Sequence, residues 1–237
     1  MKNSQSKTIL ITGASRGLGL ALARALAEQG HQLILDARGE EALAAAASQL
    51  PTQVTAIAGD IADAQHRQAL LEAARALGGL DIVINNASIL GPSPQPELLD
   101  YPLQTLEQVF RVNVFAPLAL LQTLKSVLNP QARILNITSD AGREAYAGWG
   151  GYGASKAALE QLSAILAVEV PDWLVYWVDP GDMRTQMHQE AFPGEDISDR
   201  PEPETSIPGL LALINGELPS GRYAARAPEL VREAARV

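Results

Sequence analysis

The sequence contains no cysteine among its 237 residues. It therefore has no disulfide framework, and no thiolate can act as a nucleophile or metal ligand. Basic residues are also scarce, because 18 lysines and arginines face 27 acidic residues and leave a net charge of −9. A chain of that charge is a poor partner for a phosphate backbone, so nucleic acid is not the expected ligand. No apolar run is long enough to cross a membrane.

The chain begins with a short polar segment, MKNSQSK over residues 1–7, and an apolar strand follows directly. This beginning does not have the pattern of a secretion signal, so a cytoplasmic protein is expected. With 47% hydrophobic residues the chain can fill a sizeable core. Its length predicts one α/β domain over residues 1–237, with no internal repeat and no interdomain linker.

Short apolar runs alternate with helical patterns along most of the chain. This alternation predicts a Rossmann-like, doubly wound parallel β-sheet with helices on both faces. Strands are predicted at 7–12, 32–36, 53–58, 81–84, 133–138, 173–179 and 221–224. After a first helix over about 20–30, helices are predicted at 40–50, 64–77, 103–128, 152–168, 206–215 and, weakly packed, 227–237.

A glycine-rich turn separates the first strand from the first helix. Residues 12–19 read TGASRGLG, and the helical pattern LALARALAEQG follows. Strand, glycine turn and helix in this order form the context of a dinucleotide-binding fingerprint. Glycine lets the backbone approach a pyrophosphate, and the helix N-terminus offers unpaired N–H groups with a partial positive charge. The turn alone is a weak signal, because any tight strand-to-helix turn favours glycine.

A second group of polar residues lies between positions 136 and 156. Tyr152 and Lys156 are four residues apart, which places both on one face of a helix. Ser139 follows an apolar strand and precedes Tyr152 by thirteen residues. The lysine ammonium would lower the pKa of the Tyr152 phenol from its ordinary value of about 10, which makes it a better proton donor near neutral pH. Ser139 would hold a carbonyl oxygen against that phenol.

Taken together, these motifs resemble the short-chain dehydrogenase/reductase family in its classical branch. The resemblance covers roughly residues 7–190, and its motifs are specific as a set because identity, order and spacing all fit. They are TGASRGLG at 12–19, NNA at 85–87, Asn113, Ser139, YGASK at 152–156 and PG at 180–181. The resemblance implies a catalytic tetrad of Asn113, Ser139, Tyr152 and Lys156.

The resemblance also implies which residues contact a nicotinamide dinucleotide. Asp60 and the Ile61 backbone would contact the adenine, and Asn85 and Ala87 would line the adenosine half. Thr185 would meet the nicotinamide carboxamide. The implied cofactor-binding set is Gly13, Ser15, Arg16, Gly17, Leu18, Gly19, Arg38, Asp60, Ile61, Asn85, Ala87, Tyr152, Lys156, Pro180, Gly181 and Thr185.

The implied activity is hydride transfer between the nicotinamide and a carbonyl or secondary alcohol, with Tyr152 as general acid or base. Lys156 would in addition bind the nicotinamide ribose, and Asn113 would help to hold a water. A rival function is a non-catalytic dinucleotide sensor, although such proteins typically lack part of the tetrad. The resemblance further implies a homodimer or homotetramer packed through the helices that bear Asn113 and Tyr152. The small-molecule substrate and the direction of the reaction do not follow from the sequence.

Coenzyme choice depends on the residues just after the second strand. An acidic residue there accepts hydrogen bonds from the ribose of NAD, whereas an arginine accommodates the 2′-phosphate of NADP. Counted from Thr12, the acidic position falls at Ala37, and Arg38 follows, so NADP(H) is expected and NAD(H) is the alternative. Arg16 in the glycine turn is a second cation within reach. Asp36 complicates this interpretation, because an error of one residue in the register would make it the NAD determinant.

Residues 182–208 correspond to the substrate-covering segment of the family, after a core over 7–181, and the chain end that follows is short. The three histidines lie in different predicted elements, so no metal site is predicted. The residues expected around the substrate are Tyr146, Trp149, Met183, Met187 and Phe192 as apolar walls, with Arg143, Glu144 and His188 as polar contacts.

Overall fold

The computed structural model describes residues 6–52, 54–226 and 229–233 of the chain. The strands are β1 Thr8–Thr12, β2 Gln32–Ala37, β3 Val54–Ala58, β4 Leu80–Asn85, β5 Leu128–Ile137, β6 Leu174–Asp179, β7 Gly221–Arg226 and β8 Glu229–Glu233. They form one sheet in the order β3-β2-β1-β4-β5-β6-β7-β8. Neighbouring strands are parallel from β3 to β7, and β8 is antiparallel to β7.

Helices cover both faces of this sheet. They are α1 Gly17–Glu28, α2 Glu40–Ser48, α3 Ala64–Ala76, α4 Leu103–Phe110, α5 Ala116–Leu124, α6 Gly150–Glu169, α7 Gln186–Ala191 and α8 Ile207–Asn215. The predicted Rossmann-like, doubly wound sheet is thereby confirmed. Across the described part of the chain, no helix combines the length and the apolar character that a membrane span needs.

Strand alternation divides the apolar core into two layers. In β1, Ile9 and Ile11 belong to the layer shared with α1 and α8, whereas Leu10 between them belongs to the layer with α3 and α5. All three side chains are fully buried. This explains why the central strands read as continuous apolar runs, as parallel strands covered on both faces do. The loops at the carboxyl ends of the strands are left to form the site.

The turn after β1 needs glycine for two different reasons. Gly13 has a φ of 66°, a left-handed conformation that residues with a Cβ atom rarely adopt. Gly19 lies so close to the turn that a Cβ atom on it would stand 2.3 Å from the Gly13 carbonyl oxygen. The first glycine lets the chain reverse, and the second lets α1 pack directly against the reversed segment.

The predicted helix over 103–128 is interrupted and ends earlier than expected. A π-helical segment, Arg111–Phe115, joins α4 to α5. Pro117 lies just after it, in α5, where its nitrogen cannot donate a hydrogen bond to the preceding turn, so the break lies next to the proline as predicted. The helix ends at Leu124, because the chain enters β5 and pairs with β4 from Leu128 onward.

The C-terminal tail differs from the predicted helix over 227–237. Residues 229–233 form β8 and pair with β7 as the last strand of the sheet. The sequence there favours a helix locally, but the edge of β7 presents unpaired backbone N–H and C=O groups, and β8 pairs with them. Residues 227–228 and 234–237 lie outside the described residues, and so does Gln53, the predicted start of the third strand. The other predicted elements agree to within a few residues, apart from the early start of β5.

Candidate active site

A cavity of about 1010 Å³ opens at the carboxyl edge of the sheet. Its wall combines the glycine turn, the end of β2, the loops after β3, β4 and β5, the start of α6 and the segment after β6. Ligands of open parallel sheets bind in this crevice. The predicted site residues on this wall are Gly13, Ser15, Arg16, Gly17, Leu18, Arg38, Asp60, Ile61, Ala87, Ser139, Tyr152, Lys156, Pro180, Gly181 and Thr185.

Gly19 and Asn85 are predicted cofactor residues that lie behind the wall. Gly19 supports the glycine turn from α1. The Asn85 side chain is buried and donates a hydrogen bond to Asn136 Oδ1 at 2.7 Å. The expectation that Asn85 lines the adenosine half is therefore corrected, because its side chain turns into the core and Asn86 occupies the wall instead. Asn86 also donates to the Gly13 carbonyl oxygen at 3.1 Å, which ties the two loops together.

Asn113 also lies behind the wall, within the π-helical segment. Its Oδ1 accepts the Ile89 N–H at 2.9 Å, and its Nδ2 donates to the Ile89 carbonyl oxygen at 2.9 Å. The same Nδ2 donates to Ser155 Oγ at 3.0 Å. The amide therefore fastens the loop after β4 to α6. The water-holding role that the resemblance implies stays a prediction.

The structure brings Ser139, Tyr152 and Lys156 together on one part of the wall. Ser139 follows β5, and its Oγ donates to Asp140 Oδ1 at 2.9 Å. Lys156 Nζ donates to the Ile137 carbonyl oxygen at 2.8 Å. The same Nζ lies 5.4 Å from the centre of the Tyr152 ring. The Tyr152 phenol, the Ser139 hydroxyl and the Lys156 ammonium thus line the same part of the wall.

The pKa of Tyr152 differs from the expectation. Burial raises the pKa of the Tyr152 phenol above its ordinary value, and the carboxylates of Asp179 and Asp140 raise it further. Nearby serine hydroxyl groups oppose this rise only in part. The predicted net lowering of the Tyr152 pKa is therefore not seen, since desolvation outweighs the influences that favour the phenolate. The phenol stays protonated at neutral pH.

Two influences act on the pKa of Lys156 in opposite directions. Burial lowers the pKa of its ammonium to about 8, while the carboxylate of Glu160 acts in the opposite direction. The side chain is therefore mostly protonated at neutral pH. Glu160 follows Lys156 by four residues, so helical spacing could have identified it as a neighbour from the sequence.

The glycine-turn end of the cavity fits a ligand that carries phosphate groups. Helix α1 begins at Gly17 on the cavity wall, and the unpaired N–H groups of its first turn can bind an anion. No acidic residue lies in that first turn. Arg16 and Arg38 are exposed on the same wall and add positive charge. These features fit a dinucleotide pyrophosphate and a further phosphate on the ribose.

Asp36, the residue that complicates the coenzyme prediction, forms a buried pair. It is 1% exposed, and its Oδ1 lies 2.5 Å from His66 Nε2 of α3. Gly59 leaves room for this contact, because a Cβ atom there would stand 2.2 Å from His66 Nδ1. Burial raises the pKa of the Asp36 carboxyl group, and the hydrogen bond from His66 acts against that rise. Nothing in the sequence had pointed to His66.

The end of the cavity beside Tyr152 has an aromatic wall. The Trp149 ring lies 5.8 Å from the Tyr152 ring and 5.8 Å from the Phe192 ring, measured between centroids. Tyr146 meets Trp149 edge-on at 6.3 Å. This arrangement offers apolar surface to a substrate beside the phenol. All the residues predicted as apolar walls are on the cavity wall, namely Tyr146, Trp149, Met183, Met187 and Phe192.

Of the three residues predicted as polar contacts to a substrate, one lines the cavity. His188 lies on the wall and accepts a hydrogen bond from Arg200 Nε at 3.3 Å. Arg143 and Glu144 do not line the cavity. Their place is taken by Asp140, which the sequence interpretation missed although it directly follows Ser139.

Known proteins share both sequence and fold with this chain. Residues 7–196 match the family described as short chain dehydrogenase. A 3-oxoacyl-(acyl-carrier-protein) reductase of rhamnolipids biosynthesis from Pseudomonas aeruginosa is 38% identical over 176 residues. That match covers 68% of this chain and 66% of the reductase.

Solved structures extend the similarity over nearly the whole chain. Short chain dehydrogenases from Shigella flexneri, complexed with NADP, and from Escherichia coli, complexed with NADPH, have TM-scores of 0.87 and 0.85. Their sequence identities are 30% and 31%, and each match covers 95% of this chain and 99% of the other. Because the family match spans most of the chain and agrees with its fold, the protein belongs to the short chain dehydrogenase family of oxidoreductases.

Proposed function

We propose that this protein is a cytoplasmic, NADP(H)-dependent oxidoreductase that transfers a hydride between a nicotinamide and a small carbonyl or secondary alcohol substrate. One observation carries the proposal: Ser139, Tyr152 and Lys156 line the same cavity as the glycine turn. A bound cofactor supplies the hydride, and the chain, as a single dinucleotide-binding domain, supplies placement and proton transfer.

Tyr152 is the proposed general acid in the direction of reduction. Its raised pKa keeps the phenol protonated at neutral pH. A proton is therefore available for a substrate oxygen that gains negative charge. Ser139 would donate its hydroxyl hydrogen to the same oxygen and orient it. In this structure that hydrogen goes to Asp140, so a substrate would replace Asp140 as the acceptor.

Lys156 serves both proton transfer and binding in this proposal. Its ammonium lies on the face of α6 that carries Tyr152, and a positive charge there stabilises the phenolate that remains after proton transfer. The same ammonium would hold the nicotinamide ribose. The aromatic wall around Trp149 favours substrates with apolar groups beside the carbonyl.

We infer NADP(H) rather than NAD(H) as the coenzyme. Arg38 is exposed on the wall directly after β2, where a guanidinium can pair with a 2′-phosphate. Asp36, the candidate NAD determinant, is buried and already hydrogen-bonded to His66. The related dehydrogenases from Shigella flexneri and Escherichia coli carry NADP and NADPH. These observations support the same coenzyme independently.

Cofactor turnover tests the proposal. The purified protein is given NADPH and a panel of ketones, aldehydes, quinones and a 3-oxoacyl thioester, and oxidation of NADPH is followed by its absorbance. We expect turnover with at least one carbonyl class. Binding of NADPH without any turnover would favour the second candidate, a non-catalytic NADP(H)-binding sensor on the same fold.

We further propose a homodimer or homotetramer. Large apolar side chains are exposed on α5 and α6, among them Leu118 of α5 and Ile165 of α6, and Val168 of α6 is 81% exposed. Burying such side chains between copies of the chain would favour association. Light scattering gives the mass in solution, and a monomer at micromolar concentration would contradict the proposal.

A further inference from the structure

A buried group of charged side chains lies behind the catalytic wall. This C-terminal ion cluster consists of Arg143 in the loop after β5, Glu160 of α6, Arg222 of β7 and Glu233 of β8. None of these four residues lines the cavity. The side chain of Arg222 is only 2% exposed, and that of Glu160 is 11% exposed. Asp179, at the end of β6, adds a third carboxylate, because its Oδ2 lies 4.0 Å from Arg222 Nη2. Pairing of this kind offsets the cost of burying charged side chains.

Arg222 joins several elements through one guanidinium group. Its Nε donates to Glu160 Oε1 at 2.9 Å, and its Nη1 donates to Glu233 Oε2. Its Nη2 donates to the main-chain carbonyl oxygen of Ser139 at 3.2 Å. Because the guanidinium is planar and rigid, these bonds fix β7, β8, α6 and Ser139 relative to one another.

Glu160 is the second point at which elements meet. Thr138, the residue before Ser139, donates its Oγ1–H to Glu160 Oε1 at 2.9 Å. Arg143 Nε donates to Glu160 Oε2 at 3.3 Å. Glu160 itself lies one helical turn after Lys156. The cluster therefore holds the end of β5 against the helix that carries the proposed proton donor.

We propose that Arg222 is a positioning residue for the reaction, and that the β7–β8 hairpin uses it to hold Ser139 in place relative to Tyr152. Ser139 and Tyr152 lie on different elements, so their separation depends on the contacts between those elements. Arg222 bonds to Ser139 itself and, through Glu160, to the helix of Tyr152. The inference rests on the proposed function, because it assigns a role within that reaction.

The test replaces the guanidinium and separates kcat from binding. Arg222→Met keeps an unbranched side chain but loses all three donors, and we expect kcat to fall about 10²-fold, the effect of misplacing a catalytic group by about 1 Å. The KM for the carbonyl substrate and the Kd for NADPH should stay close to the wild-type values. Arg222→Lys keeps the charge without the fork of donors and should retain an intermediate kcat.

Arg75→Met is the matched control, because Arg75 forms an exposed ion pair with Glu72 at 2.7 Å, far from the site in the sequence. An exposed pair contributes little, so all kinetic constants should stay unchanged. Circular dichroism and thermal unfolding establish that each variant is folded. If Arg222→Met does not fold, Glu233→Gln decides: a lower kcat with unchanged NADPH affinity supports the inference, and an unchanged kcat overturns it.

Other outcomes are equally decisive. A folded Arg222→Met variant with wild-type kcat overturns the positioning role, and so does a loss of kcat matched by an equal loss of NADPH affinity, which indicates general damage. A wild type that turns over no carbonyl compound overturns the proposed function and this inference with it. Turnover that is equal in wild type and variants overturns this inference alone.

Discussion

At the cofactor end of the cavity a buried carboxylate, Asp36, is paired with a single histidine, His66, at 2.5 Å. At the catalytic end another buried carboxylate, Glu160, is held by two arginines, Arg143 and Arg222. The first pairing engages an acid that lines the cavity two residues before Arg38. The second pairing ties α6, which carries Tyr152, to β7 and to the loop after β5. A buried carboxylate is thus paired within one contact at the first end, whereas at the second end it links several elements of the fold.

The two ends of the cavity are also formed by different parts of the chain. The glycine turn and Arg38 come from the first strand, the second strand and the loops that follow them. The proposed catalytic end combines Ser139, in the loop after β5, with Tyr152 of α6, and Arg222 of β7 supports it from behind the wall. Changes at the cofactor end should therefore act on cofactor affinity, and changes at the catalytic end should act on kcat.

The largest effect is expected at the catalytic end, from Tyr152→Phe. Loss of a general acid reduces kcat by about 10²–10⁴-fold, while the Kd for NADPH should not change, because only the hydroxyl group is removed. Steady-state kinetics and a fluorescence titration with NADPH measure the two quantities. Tyr146→Phe is the control on the same wall and should keep most activity. Near-normal turnover by Tyr152→Phe would show that another group donates the proton.

Arg38→Ala should produce the opposite pattern at the cofactor end. Charge-assisted hydrogen bonds contribute about 1.5–3 kcal/mol, so NADPH binding should weaken roughly ten- to a hundredfold. NADH binding and the kcat at saturating NADPH should hardly change. Arg24→Ala, which removes an exposed arginine of α1, is the control. A wild type that prefers NADH would contradict this assignment.

The pH dependence of kcat should sharpen the role of Lys156. Burial lowers the pKa of its ammonium to about 8, so the positive charge is lost as the pH rises through that value. We expect kcat to fall progressively above about pH 8, while activity below it is retained. Glu160→Gln removes the carboxylate that opposes this lowering, so the decline should begin at a lower pH. A kcat that stays constant up to pH 10 would contradict a catalytic ammonium at Lys156.

The smallest effect on coenzyme choice is expected from Asp36→Asn. The amide keeps the shape of the side chain and an oxygen that can accept a hydrogen bond from His66. Because Asp36 is buried in that pair, the ratio of NADPH to NADH affinity should change little. Parallel titrations with both coenzymes measure the ratio. A selective loss of NADH binding would identify Asp36 as the ribose ligand after all.

The fold class and most of the candidate site could be predicted from the sequence, because the relevant patterns are local. A strand, a glycine turn and a helix follow one another within residues 8–28, and each restricts the backbone of its neighbours. Tyr152 and Lys156 share a face of α6 because helical geometry relates residues four apart. Strand alternation likewise distinguishes Asp36 from Ala37 without reference to the rest of the chain.

Other features depend on neighbours that are distant in the sequence, and only the folded chain shows them. The Tyr152 pKa is raised by burial and by Asp179, neither of which a spacing rule contains. The final strand forms against the edge of β7 although its own residues favour a helix. Arg222 reaches Ser139 across 83 positions of the chain, and no periodicity or turn motif records a contact at that distance. Local patterns constrain dihedral angles, whereas desolvation and ion pairing arise only when the chain has folded around them.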